Sequence, residues 1–255
     1  MKKIIFVVIF VGLVIAGAIY GFKNRNVQHE DLPPAQNHNE FTPPPPLPTP
    51  GPAPAPTPTP PGSSTGVNLN VPFTSQAPHA NWSEPYQNFC EEASALMAAS
   101  YILNQTISGA DDADKKLLAV KDYEDAAFGD YRDTTAAQTA QILTEHFKVP
   151  ASQVNFLNNP TVEQIKSALA AGKVVMVPAS GKDLDNPNFV NGGPVYHMLV
   201  IKGYTKDGKF ITNDPGTRKG ANFTYKFDNL MDAIHDWVGF DRDIHEGKRV
   251  VIVVG

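Results

Sequence analysis

The order of apolar and polar positions divides the chain into three stretches. Behind a short basic head, Met1-Lys2-Lys3, residues Ile4 to Tyr20 carry no charge at all. Residues 23–66 show neither helical nor strand periodicity, and 14 of the 23 prolines fall between Pro33 and Pro61. From Val67 onward, apolar residues recur at helical spacing over Phe89–Leu103, Thr135–Phe147 and Thr161–Ala171, the last opened by Pro160 and Thr161. β-Branched and aromatic runs then predict strands at Val174–Pro178, Tyr196–Tyr204, Lys209–Asn213, Phe223–Phe227 and Arg249–Val254, interrupted by an amphipathic helix over Leu230–Trp237. Helices first and antiparallel strands later predict an α+β domain over residues 67–255, not an alternating βαβ one.

Residues 1–22 read in two ways. Ala16-Gly17-Ala18 supplies a small-residue cleavage site for a signal peptide. Alternatively, Ile4 to Phe22 comes close to the roughly 20 residues that span a bilayer, with the lysines on the cytoplasmic side. Both readings export the rest of the chain, so the expected location is extracytoplasmic, either anchored to the cell membrane or secreted. The proline-rich linker, residues 23–66, is expected to be a hydrated polyproline II spacer, reaching on the order of 100 Å at about 3.1 Å per residue.

Composition narrows the chemistry. A net charge of −5 with no Lys/Arg run longer than two leaves no electrostatic footprint for nucleic acid. A single cysteine excludes an internal disulfide framework and a cysteine-based metal site within one chain. HExxH is absent, and Asp241-Arg242-Asp243 is too short for a calcium loop, so no metal and no cofactor are expected.

What remains is a thiol with candidate partners. Cys90 leads into Glu91-Glu92-Ala-Ser-Ala-Leu-Met, which places it in or near the first turn of a helix, where unpaired N–H groups favour an anion. His197 sits within the apolar run Val195-Tyr-His-Met-Leu-Val-Ile201, and Thr205-Lys-Asp-Gly208 reads as the hairpin loop to the next strand. If Tyr204 pairs with Lys209, Asp214 comes opposite Leu199; if Gly203 pairs with Gly208, it comes opposite His197. Either register puts His197 and Asp214 on one face, and a register one residue off separates them. A carboxylate beside a strand histidine fixes the imidazole tautomer, and a histidine within reach of a thiol takes its proton.

These residues resemble those of the papain-like cysteine peptidases related to the bacteriocin-processing peptidases, in their stand-alone form. The resemblance runs from Asn68 to Val254. It rests on Val71-Pro72-Phe-Thr-Ser-Gln76, the Cys90 helix, the Tyr196-His197 strand ending at Gly203-Tyr204, and Asn213-Asp214-Pro215. It implies a papain-like fold with Cys90 as nucleophile, His197 as general base, Asp214 as the orienting acid and Gln76 as the oxyanion-hole glutamine. Two positions depart from the family's pattern. Glu91 stands where the family usually has glycine, and Gln76 lies further from Cys90 than is common, which leaves Gln87 as a competitor for the amide role.

The expected protein is therefore a membrane-tethered thiol hydrolase acting on a peptide or protein substrate through a thioester, working as a monomer. Two other readings share some of these features: a transglutaminase-like or cell-wall amidase acyl transfer, and a non-catalytic binding module displayed on a spacer. The loop from Lys182 to Gly193, rich in Asn, Gly, Pro and Asp, is expected to line the cleft beside His197.

Overall fold

The computed structural model of the chain describes residues 31–41 and 66–255. The apolar stretch at 1–22 and linker residues 23–30 and 42–65 lie outside them. Two units divide the chain, Met1–Leu32 and Pro33–Gly255, and of the first only Asp31 and Leu32 are described.

Among the described residues, seven strands form one sheet: β1 (Val67–Asn68), β2 (Val154–Asn158), β3 (Val174–Ser180), β4 (Tyr196–Tyr204), β5 (Lys209–Asn213), β6 (Phe223–Lys226) and β7 (Val250–Val254). Every pairing is antiparallel. The order is β2-β7-β3-β4-β5-β6, with β1 paired to the far end of β4. β3, β4 and β7 are buried along their whole length, as expected of Val/Ile/Met-rich strands covered on both faces.

The helices come mostly before the central strands. They are α1 (Cys90–Ile102), α2 (Ala110–Phe128), α3 (Ala136–Gln141) running into a π-turn over Ile142–His146, α4 (Val162–Ala170) and α5 (Phe227–Ala233). Each of the 13 residues of α1 is buried, so this helix is enclosed on all sides and lies against β4 and β3. Both α3 and α4 start with a reciprocal capping box, Thr135 with Gln138 and Thr161 with Gln164. The α+β layout is the expected one.

Three elements were not expected from the apolar pattern. The longest helix, α2, buries only the stripe Ala113, Leu117, Val120 and Glu124, and one of those four is a carboxylate. Two-residue β1 is too short for any period, and β2 is an edge strand with three exposed positions of five. The last helix also begins and ends earlier than its apolar residues suggest. Ile234 turns extended after Ala233 and bridges to Ala179 of the sheet.

The segment Pro33–Phe41, part of the stretch expected to be linker, is held against the domain. Gln36 pairs in parallel with Leu69. Its N–H donates to the Asn68 carbonyl at 2.8 Å, and the Asn70 N–H donates to its carbonyl at 2.6 Å. Asn68 Nδ2 donates to the Pro33 carbonyl, and the His38 ring meets Tyr101 edge-on at 5.1 Å. Phe41 lies over Gly172. That glycine ends α4 in a left-handed conformation, φ +78°, with the Gly172 and Lys173 N–H groups closing back on the Leu169 and Ala168 carbonyls.

A Cβ at Gly172 would meet both a strained φ and the Phe41 ring. Gly172→Ala is expected to lower stability by about 1–3 kcal/mol and to expose residues 33–41 to proteolysis. Chemical denaturation and limited digestion of the full chain check this; an unchanged midpoint with an unchanged cleavage pattern would show that Phe41 does not hold the arm.

Candidate active site

The hairpin of β4 and β5 brings His197 and Asp214 together by a route the turn alone does not give. At the turn, Tyr204 pairs with Phe210 and Gly203 with Ile211, which is the register that would put the two residues on opposite faces. A bulge at Lys202 then steps the pairing to Ile201 with Thr212 and Val200 with Asn213. Asp214 consequently falls opposite Leu199, diagonal to His197 and on its face. The bulged Lys202 is itself buried, its Nζ donating to Asn68 Oδ1 at 2.8 Å and Asn222 Oδ1 at 2.7 Å, and burial pushes it down to about 8.

Asp214 is fully buried and accepts four hydrogen bonds. Oδ1 meets His197 Nε2 at 2.8 Å and the Gly216 N–H at 2.9 Å. Oδ2 accepts from the Tyr225 hydroxyl at 2.6 Å and from Asn186 Nδ2 at 3.0 Å. Burial pushes this carboxyl up, but the charge and hydrogen bond of His197, with the Tyr225 and Gly216 donors, outweigh it and hold it below the usual carboxylate range. With Nε2 taken by Asp214, Nδ1 is the nitrogen left to exchange a proton with a thiol. The imidazole is further held by Phe189, edge-on at 5.2 Å, and by Gly216, where a Cβ would lie 2.8 Å from the ring.

Cys90 is the first residue of α1, so its own N–H has no acceptor within the helix. Its thiol donates to Glu91 Oε2 at 2.9 Å, while Glu91 Oε1 accepts the Thr134 N–H at 2.8 Å. Among the described residues no hydrogen bond joins Sγ to His197, although both line the same cleft. Burial pushes the Cys90 thiol well up, and the charges of Glu91, Asp133 and Glu92 add to that. Burial and the Asp133 charge raise Glu91 to about 8. Behind it, no nitrogen or hydroxyl donor reaches the buried carboxyls of Glu92 and Glu124. Burial is the main cause that raises both, Glu124 to about 9, and the charges of the neighbouring carboxyls add to it.

Gln76 also lines the cleft, but its Nε2 donates to the carbonyls of Tyr86 at 3.0 Å and Gln87 at 2.9 Å, and its Oε1 is buried without a donor. Its backbone N–H donates to the Pro215 carbonyl, which ties Val71–Gln76 to the Asp214 turn; Asn213 Nδ2 completes the stitch on the Val71 and Pro72 carbonyls. Gln87 lines the cleft too, with Nε2 on Glu84 Oε1 at 2.6 Å. Both Gln76 Nε2 protons are thus committed to carbonyls, whereas Gln87 Nε2 has one partner and the Cys90 N–H has no acceptor within its helix.

The cleft has a volume of about 1160 Å³. Its rim carries Trp82, Val190, Val195 and Phe240, which are exposed by 38%, 81%, 51% and 64%. Four exposed apolar side chains on one concavity are a binding feature rather than scattered surface. The loop from Lys182 to Gly193 does line the cleft, through Pro187, Asn188, Phe189, Val190 and Gly193. It is also part of the folded site, because its Asn186 is one of the donors to Asp214. Asn186 and Tyr225 are the two residues that sequence reasoning missed. Tyr225 was visible only as one aromatic position of a strand, and nothing marks Asn186 among its neighbours Asn188 and Asn191.

The Peptidase_C39 like family matches residues 68–242. A crystal structure from Bacillus anthracis, of a protein assigned as a C39-like peptidase, aligns with 74% of this chain and 98% of its own at 17% identity and a TM-score of 0.47. No curated protein sequence matches the chain.

Tyr225→Phe removes one charge-assisted donor from Asp214 and is expected to cost about 1.5–3 kcal/mol. Asp214 is held below its unfolded value of about 3.9, so its contribution is present above that pH and lost as pH falls through its lower folded value. The penalty should therefore be full at neutral pH and shrink under strong acid. Denaturation of both proteins across pH 2–7 tests this; a penalty equal at both ends would mean the hydroxyl acts only by packing.

Proposed function

The chain belongs to the Peptidase_C39 like family, and from that premise we propose a cysteine peptidase with a Cys90–His197–Asp214 triad, tethered outside the cytoplasm by its N-terminal apolar stretch. The observation that carries the reading is the buried 2.8 Å bond from Asp214 to His197 Nε2, in a cleft that also holds Cys90. That bond leaves Nδ1 free to take the thiol proton. The thiolate attacks the peptide carbonyl, and the leaving amine takes the proton back from His197. Water, deprotonated by the same nitrogen, then opens the thioester and restores Cys90. The oxyanion is met by the Cys90 N–H, and Gln76 joins as second donor once its Nε2 gives up one of its two carbonyl partners. The apolar rim of Trp82, Val190, Val195 and Phe240 favours a peptide bearing bulky hydrophobic side chains.

One observation favours a second reading, a binding module without turnover: the thiol hydrogen bond goes to Glu91. Peptide-library digestion by the full chain separates the two. Native protein should release peptides by hydrolysis, and Cys90→Ala and His197→Ala should each lower kcat/KM by about a thousandfold or more. Cleavage that survives Cys90→Ala would overturn the peptidase reading, and peptide binding with no turnover in the native chain would establish the module. Protease treatment of intact cells tests the location, since a domain that stays protected would exclude export.

A further inference from the structure

Glu91 occupies the position directly after the nucleophile, and its carboxylate has a defined place. Thr134 fixes Oε1 through its N–H, and Thr134 is itself fixed, its hydroxyl on Thr139 at 3.0 Å and its carbonyl accepting from the Tyr196 hydroxyl at 2.8 Å. Oε2 is thereby held on Sγ. Glu91 is fully buried, so water does not compete with Sγ and Thr134 for its carboxyl, while Cys90, 4% exposed, lines the cleft. Resting on the reading of Cys90 and His197 as nucleophile and base, we propose that Glu91 is a positioning residue that gates the thiol. Ionised, its carboxylate keeps the proton on Sγ and the sulfur out of partnership with His197; protonated, its O–H donates to the thiolate and stabilises the Cys90–His197 ion pair.

The charges around Glu91 make the gate physical. On its own helix are Cys90 and Glu92, and α2 presents Glu124. The loop before α3 presents Asp133, with Arg132 committed to Asp130 through a bidentate pair. From β4 comes Tyr196, with Asp236 also near it, and His197 lines the same cleft as Cys90. No lysine or arginine is bonded to Glu91 among the described residues. An uncompensated buried carboxylate among other acids takes up a proton readily, which agrees with its rise to about 8.

The proton count follows. With Glu91 protonated, its O–H donates to Sγ and the thiol proton passes to His197, leaving Cys90 a thiolate. Raising the pH removes the Glu91 proton, and the thiol proton returns to Sγ, held there by the Glu91 carboxylate. Alkali therefore quenches this thiol, whereas it activates an ordinary one.

Cys90 is the chain's only cysteine, so iodoacetamide alkylation of the full chain reports on it alone. In the native protein the rate should fall as pH rises through about 8. Glu91→Gln, whose amide always offers a donor, should abolish that fall and exceed the native rate by roughly tenfold one unit above the inflection. A native rate that climbs with pH like a free thiol, or a Glu91→Gln profile that coincides with the native one, would overturn the gate. If the variant does not fold, the thiolate ultraviolet absorbance of the native chain, corrected with Cys90→Ala, reads the same event. It should decrease through that window, and a steady rise would refute the idea. His197→Ala distinguishes the two levels of failure. If it abolishes fast labelling at low pH while Glu91→Gln changes nothing, the catalytic pair stands and the gate falls. If native labelling at low pH is slow and His197→Ala leaves it so, the catalytic reading falls as well.

Discussion

A carboxylate cannot remain ionised inside a protein unless its lone pairs are met, and Asp214 meets that condition with four donors from four places in the chain. His197 comes from β4, Tyr225 from β6, Asn186 from the 182–193 loop, and the Gly216 N–H from the turn after Asp214 itself. Losing any one of them would leave part of a buried charge unmet, so these segments are not independent parts. The turn also requires glycine at two positions. A Cβ on Gly216 would press on His197 and Phe189, and one on Gly220 would run into the Asp214 carbonyl. The rigid floor of the cleft is a consequence of keeping one charge out of water.

The opposite wall follows a different electrostatic logic. The start of α1 favours a thiolate, but a helix terminus contributes only about 0.3–1 kcal/mol, rising to about 2 in buried geometry. Against it stand burial and the carboxylates Glu91, Asp133 and Glu92, and their combined effect is to raise the thiol. Dipole alone does not prepare this cysteine; the protonation state of its neighbours decides. Burial raises Glu92 and Glu124 as well, which disfavours charge where the acidic cluster behind Cys90 is most deeply buried.

Much of this was legible along the chain. Val174, Tyr196, Lys209 and Phe223 start strands where the β-branched and aromatic runs start, and Cys90 begins a helix because an Ala/Leu/Met run follows it. Helix α2 was less legible because its buried stripe is narrow and includes Glu124, whose burial depends on a partner from another helix. The docked arm at residues 33–41 was hidden by the prolines around it, since backbone hydrogen bonds to Asn68 and Asn70, and scattered side-chain contacts such as His38 on Tyr101, follow no period along the chain.

By itself the sequence determined the family, the α+β order of elements and the residues able to do thiol chemistry, because residue type and local period depend on neighbours a few positions away. Whether His197 and Asp214 share a face was decided by one extra residue at Lys202, since strand register is a relation between two segments and a single step reverses it. Only the tertiary structure could place Asn186 and Tyr225 on Asp214, turn the Gln76 amide onto two carbonyls and set Glu91 against the thiol. Each of those is a contact whose energy depends on burial, and burial is a property of the packed chain.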